Sequence, residues 1–398
     1  MLKLASRLEG VAESSTLKMN AAARELTAQG HKIMNLTAGE PDFPVLPAVK
    51  AAAIDAITTD FNKYTAVAGL PELRKAIAKK FKTDNALEYA PDQIVSTVGA
   101  KQAIFNFLLA TVSPGDEVII PAPYWVSYPD MVKLAGGKPV IIEATAETGF
   151  KINVAQLKAA LTPRTRAFIL NSPSNPTGAV YSRAEMQSLA KVLEGTDVWV
   201  VSDEIYEKIT YDAEFASFAS LSDDAYARTL TVNGFSKTFS MTGWRLGYAA
   251  GAKPLVAAMT LLQGQSTSGP NSVTQKAALA ALELKDEAFR PMVTAFRKRR
   301  DRMAEIFSQS DYFSFVKPEG AFYFFLNVER AYGKQYNHDQ VLAGSEDLAF
   351  YLLNAAHVGT VAGDGFGAPG YLRLSFAVAD SEVEEGCRRI VDAISKLV

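Results

Sequence analysis

Residues 229–250 read TLTVNGFSKTFSMTGWRLGYAA. A short β-branched run, Thr229–Val232, stops at Asn233-Gly234. The polar turn carrying Ser236-Lys237-Thr238 follows, and a second apolar run, Leu246–Ala249, resumes. Working outward, the same punctuation recurs from about Asp92 to Gly251. Gln93–Val98, Glu117–Pro121, Pro139–Glu143, Ala167–Asn171 and Val198–Asp203 are strand-like. Ala100–Val112, Val154–Leu161 and Ala184–Leu193 have helical spacing. Strands that are nearly continuous in apolar residues and alternate with helices predict a mainly parallel sheet covered on both faces, an α/β fold. In such sheets ligands gather where strands end and the following loops begin.

Beyond Ala250 the pattern changes to helices at Lys253–Gln263, Val273–Leu284 and about Phe289–Phe307. Two strands, Ala321–Asn327 and Tyr371–Phe376, and helices at Glu346–Ala356 and Ser381–Leu397 complete a smaller α+β unit. A helix at Lys18–Gln29 is expected to pack on that unit. At 398 residues the chain exceeds the size at which one core stops growing, roughly 250–300 residues. The expected division is 1–47, an N-terminal arm and part of the small domain; 48–287, the large domain; and 288–398, the C-terminal small domain.

Net charge is −2, which gives no basic footprint for nucleic acid and no polybasic membrane patch. Arg297-Lys298-Arg299-Arg300 lies in a helical pattern and is expected to be a solvated face. A single cysteine, Cys387, rules out a disulfide within the chain. His31, His338 and His357 are too scattered for a metal site, and none is expected. Neither a signal segment nor an apolar run of roughly 20 residues appears, so the expected compartment is the cytoplasm.

Four segments follow predicted strands. Gly99 opens a helix with Ala100 and Lys101, where free N–H groups suit a phosphate, although strand–glycine–helix turns are common in any α/β protein. Asn171-Ser-Pro-Ser-Asn-Pro-Thr-Gly178 forms a rigid bend that could hold the Asn175 amide over a ligand or be a plain surface turn. Asp203 ends a buried strand, where an unpaired carboxylate is costly. Lys237, at a strand end among Gly, Ser and Thr, is set to lose its proton and form an imine with an aldehyde.

Taken with Thr37–Phe43, Pro123–Tyr128, Ser202–Tyr206, Gly243–Gly247 and Leu372–Ser375, these segments resemble, across essentially the whole chain, the class I aminotransferases of the aspartate aminotransferase family. These are fold-type I pyridoxal-phosphate enzymes, and the likeness is greatest to the bacterial aspartate or aspartate/prephenate branch. The resemblance implies the cofactor pyridoxal 5'-phosphate, amino acid and 2-oxo acid substrates, a ping-pong cycle and a homodimer with shared sites. It makes Lys237 the Schiff-base lysine and proton shuttle and sets Asp203 against the pyridine nitrogen. Tyr206 and Asn175 would meet the ring oxygen, and Trp125 would stack on the ring. Gly99, Ala100, Lys101, Ser236 and Arg245 would hold the phosphate, with Tyr64 reaching the neighbouring subunit's phosphate. Arg373 would grip the substrate α-carboxylate beside Gly39.

For a second carboxylate, residues 263–272 offer no arginine. The resemblance instead assigns Lys101, assisted by Ser15 and Thr16. Prephenate-using relatives carry a basic residue just before this serine–threonine pair, where this chain has Ala12 or Glu13. Three readings compete with an aspartate (or glutamate) aminotransferase: a prephenate or aromatic aminotransferase, a pyridoxal-phosphate lyase, and, more distantly, a nicotinamide-dependent oxidoreductase. The last rests on Gly363-Asp-Gly-Phe-Gly367, read here as a flexible loop near the site mouth.

Overall fold

The apolar runs become strands wherever glycine or proline ends them. In the computed structural model, which describes residues 4–11, 13–336 and 340–398, seven strands form one mixed sheet. They are β1 (Ile94–Thr97), β2 (Glu117–Ala122), β3 (Lys138–Glu143), β4 (Thr165–Asn171), β5 (Trp199–Asp203), β6 (Thr229–Gly234) and β7 (Gly247–Ala250). Their order is β1-β7-β6-β5-β4-β2-β3. Neighbours from β3 to β6 pair in parallel, and only β7 runs against its partners β6 and β1. The expectation of a mainly parallel sheet therefore holds, with predicted strand limits within two residues of those observed.

Successive residues of the central strands enter different cores. Val118, Ile120, Ala167, Ile169 and Val201 join one cluster, whereas Ile119, Phe168, Leu170 and Val200 join another. Burial on both faces is why these strands read as continuous rather than alternating apolar runs. A third cluster lies under helices Pro47–Thr58, Pro71–Asn85 and Ser272–Leu282. The first two of these helices escaped the sequence reading.

A separate antiparallel sheet contains β8 (Tyr323–Asn327) and β9 (Tyr371–Ser375). Its cluster takes in Met19 and Ala23 of the helix Ser15–Ala28, together with Phe296, Leu348 and Ile390. Met34–Asn35 also pairs in parallel with Val358–Gly359, so the N-terminal segment does pack on the C-terminal one. Ile205, Tyr206 and Ile209, just after β5, sit in the same cluster and join the large sheet to this unit.

The basic run on the helix Arg290–Phe307 is a solvated face only in its first half: Arg297 and Lys298 are exposed, but Arg299 and Arg300 are buried. Arg299 donates from both terminal nitrogens to Asp42, at 2.8 and 2.9 Å, and from Nε to Asp380 at 2.7 Å. Arg300 donates to Asp212 and to the Pro318 carbonyl. Amphipathic spacing could not reveal this, because the carboxylate partners come from three distant segments. The segment Gly363–Phe366 is likewise not a loose loop. It forms a 3-10 turn that buries Phe366, and no helix opens from it as a dinucleotide fingerprint requires.

One close approach fixes the edge of the sheet. A Cβ at Gly247 would lie 2.3 Å from the Ala100 nitrogen and 2.5 Å from the Gly99 carbonyl carbon. Backbone cannot swing aside as a side chain can, so Gly247→Ala is expected to destabilise the fold by roughly 1–3 kcal/mol or more. Urea unfolding followed by tryptophan fluorescence would measure this, and a midpoint equal to the parent's would contradict the packing described.

Candidate active site

All four expected segments arrive at one cavity of about 470 Å³, at the carboxyl ends of the parallel strands. The turn after β1 brings Ala100 and Lys101, the segment after β2 brings Trp125, β4 ends at Asn171 and leads to Asn175, and β5 ends at Asp203. The turn after β6 supplies Ser236 and Lys237. Gly39 and Thr16 line the cavity from the N-terminal segment, Arg373 lines it from β9, and Tyr206 and Arg245 line it as well, whereas Gly99 stands just behind the lining residue Ala100.

Lys237 is partly buried, and its Nζ donates to the Gly39 carbonyl at 2.5 Å. Burial pulls its ammonium down to about 8. Arg373 and Arg245 add to that pull, while Glu40 and Asp203 oppose it. The amine is therefore partly uncharged near neutral pH. Asp203 is buried, and burial raises its carboxyl to about 6. Its Oδ2 accepts from the Tyr128 hydroxyl at 2.7 Å and its Oδ1 from the Ile205 N–H at 3.3 Å, two bonds that favour the ionised form.

Arg373 is buried beneath the cavity. It donates to Asn175 Oδ1 at 3.0 Å and to the Thr37 carbonyl at 2.8 Å, while its Nε has no partner in the chain. The bend at 171–178 is buried rather than a surface turn. It is held in part by the Asn175 N–H donating to Asn171 Oδ1 at 2.8 Å.

Gly99 has φ of 77°, a conformation glycine tolerates, and begins the helix Ala100–Thr111. A Cβ there would lie 2.5 Å from an Arg245 guanidinium nitrogen. The open helix start, Arg245 and the Ser236 hydroxyl thus surround a recess suited to an anion. Lys101 projects its ammonium 4.7 Å from the centre of the Trp125 ring. Burial of that end, with repulsion from Arg245, lowers its pKa although much of the residue is exposed.

Two expected residues lie elsewhere. Ser15 does not line the cavity. As the first residue of its helix it turns its hydroxyl toward Gly365, and Ser14 faces the cavity instead. Tyr64 is 99% exposed and lies in a shallow surface recess with residues 267–272, away from its own chain's cavity. Ala12 and His338 fall outside the described residues. Among the described residues no cluster of His, Cys, Asp and Glu could hold a metal, and no helix is long and apolar enough to cross a membrane.

Glu40, Tyr128, Thr242 and Tyr323 also line the cavity and were not read as site residues. Thr242 donates its hydroxyl to Glu40 at 2.5 Å, tying the 37–43 loop to the Arg245 turn. Tyr128 and Glu40 lay within quoted motifs, which was the available signal. Tyr323 lay inside an apolar strand and gave none.

The family described as aminotransferase class I and II matches residues 31–390. An aspartate/prephenate aminotransferase of Nitrosomonas europaea is 46% identical across 99% of this chain and 100% of its own length. An aspartate aminotransferase of a Bacillus species is 45% identical across 97% and 98%. Among solved structures, the aspartate aminotransferase from Rhizobium meliloti superposes with a TM-score of 0.96 at 42% identity, covering 100% of both chains. That of Thermus thermophilus with maleate superposes with a TM-score of 0.92 at 41% identity, covering 99% of this chain and 100% of that one.

Because the Tyr128 hydroxyl favours the charged form of Asp203, Tyr128→Phe is expected to raise the carboxyl further above about 6. A hydrogen bond to a charged group is worth about 1.5–3 kcal/mol, which corresponds to a rise of roughly one to two units. Carbon-13 NMR of aspartate-labelled protein free of added ligand would follow it, and an unmoved Asp203 titration would contradict the geometry.

Proposed function

The chain belongs to the class I and II aminotransferases, and on that premise we propose that it moves the amino group of aspartate, or glutamate, to a 2-oxo acid with pyridoxal 5'-phosphate as cofactor. The observation that carries this reading is the pairing in one cavity of an amine brought down to about 8 with a buried carboxyl, above a buried arginine with a free N–H. These residues fit the cofactor. An aldehyde needs an uncharged lysine, a ring nitrogen needs an acid, and a phosphate needs the recess that a Cβ at Gly99 would fill.

When bound, pyridoxal phosphate supplies the aldehyde and an electron-accepting ring. Lys237 would hold the aldehyde and would be the base that moves the substrate Cα proton. Asp203 would hold a proton at the ring nitrogen, Tyr206 and Asn175 would donate to the ring oxygen, and Trp125 would pack on the ring. Gly99, Ala100 and Lys101 offer backbone N–H groups to the phosphate, with Ser236 and Arg245. Arg373 binds the α-carboxylate as a planar fork beside Gly39, an arrangement that lysine cannot copy. Lys101 and Thr16, with Ser14 in place of Ser15, meet the distal carboxylate.

The proposal includes a homodimer in which Tyr64 serves the partner's phosphate. A tyrosine exposed at 99%, with Ile54, Ile57 and Leu261 each more than 60% exposed, supports a covered surface. The division into 1–47 with 288–398 and 48–287 is part of the same reading, supported by the separate cores, as is a cytoplasmic location.

A second reading, that larger acids such as prephenate also enter, draws on an apolar recess beyond Lys101. Val11, Phe105, Val126, Met131 and Leu134 line it.

Borohydride reduction of protein loaded with pyridoxal phosphate is expected to fix the cofactor on Lys237, and Lys237→Ala to lose both the visible band and turnover. A labelled peptide elsewhere, or full activity in the variant, would end the assignment. Lys101→Ala is expected to lower kcat/KM for aspartate by roughly tenfold or more and for alanine or phenylalanine far less. Equal losses across all three donors would remove Lys101 from the distal site.

A further inference from the structure

Tyr323 is a buried residue of β8, and the proposed chemistry gives it no task. Its hydroxyl lies 2.9 Å from that of Tyr206. Its ring lies under the Arg373 guanidinium, 4.5 Å from centroid to carbon. The same hydroxyl abuts Gly39, where a Cβ would come within 2.9 Å of it, and the Gly39 carbonyl receives the Lys237 ammonium. One side chain thus touches the phenol proposed for the ring oxygen, the guanidinium proposed for the carboxylate and the backbone between them. A phenylalanine would fill this apolar strand position equally well, so packing does not account for the hydroxyl.

We propose that Tyr323 is a positioning residue that orients the Tyr206 phenol through its hydroxyl and the Arg373 fork through its ring. This rests on the reading above, because Tyr206 and Arg373 act there on cofactor and substrate. Either hydroxyl of the pair can donate; in the proposed arrangement Tyr323 donates to the Tyr206 oxygen and leaves the Tyr206 proton to point at the ring oxygen, and chained hydroxyls of this kind polarise one another. Its ring face attracts the guanidinium and keeps the fork level. The charged and titratable groups around these three side chains are Asp203 from β5, Tyr128 bound to it, Glu40 from the 37–43 loop, Lys237 and Arg245.

The test separates the two contacts in protein loaded with pyridoxal phosphate. The first readout is the pH midpoint of the visible absorbance; the second is the Kd of maleate, a dicarboxylate that cannot react. Tyr323→Phe loses the hydroxyl and keeps the ring. It is expected to raise the midpoint by roughly half a unit to one unit and to change the maleate Kd less than about threefold. Tyr323→Leu loses both contacts and is expected to weaken maleate roughly tenfold as well. In a Tyr206→Phe background, Tyr323→Phe should add little further shift, because the route is already cut.

An unmoved midpoint in Tyr323→Phe, or a shift that adds in full to that of Tyr206→Phe, overturns the relay. Unchanged maleate binding in Tyr323→Leu overturns the ring's part. If the phenylalanine variant fails to fold, Tyr323→His keeps a donor and should stay nearer the parent midpoint than Tyr323→Leu; a midpoint equal to the leucine variant's overturns the relay there. A colourless parent would instead remove the cofactor reading, a result distinct from a coloured parent whose variants do not respond.

Discussion

Two ionisable groups, the Lys237 amine and the Asp203 carboxyl, are held out of water at neighbouring strand ends, and much of the molecule serves to keep them there. Burial works on them in opposite directions, bringing one down to about 8 and the other up to about 6. Each is drawn toward its neutral form, which is the condition for a nucleophilic amine and for an acid that can share a proton. A parallel sheet with helices on both faces does this readily. Consecutive strands deliver consecutive loops to one edge, and the cores on either side keep solvent from the strand ends.

The second, smaller sheet closes that edge. Arg373, paired with Phe325 across the β8–β9 ladder, lies diagonal to Tyr323, while Gly39 and Glu40 enter from the N-terminal segment. The cavity is therefore made by three stretches of chain that are distant in sequence. The Glu40–Thr242 hydrogen bond and the Lys237–Gly39 contact join two of them directly. The Tyr206–Tyr323 contact joins the large sheet to the small one.

How much of this could be read from the residues follows the same physics. Strands buried on both faces left continuous apolar runs, and glycine, proline and asparagine marked their ends, so the sheet and its loops were legible to within a residue or two. Lys237 and Asp203 stood out because buried charges need a reason, whereas Arg373 came only from the resemblance. Helices Pro47–Thr58 and Pro71–Asn85 were not read, although proline opens both. Tyr323 was illegible because its role comes from what approaches it across the fold, not from its neighbours in sequence. The one-residue difference between Ser14 and Ser15 is a matter of where a helix starts, which spacing alone defines poorly. Arg299 and Arg300 misled for a related reason: nothing in a run of basic residues tells which of them will find carboxylates from elsewhere.

That arginine pair has a longer reach than its place on a helix suggests. Arg299 holds Asp42, three residues from Gly39, and Asp380 at the start of the last long helix. A buried guanidinium deprived of one carboxylate keeps the other but is left with N–H groups that lack their acceptor, so no single member of the trio can change at leisure. Positions 42, 299 and 380 are in this sense one heritable unit, and an amino acid exchange at any of them would be expected to survive in a lineage only alongside changes at the others.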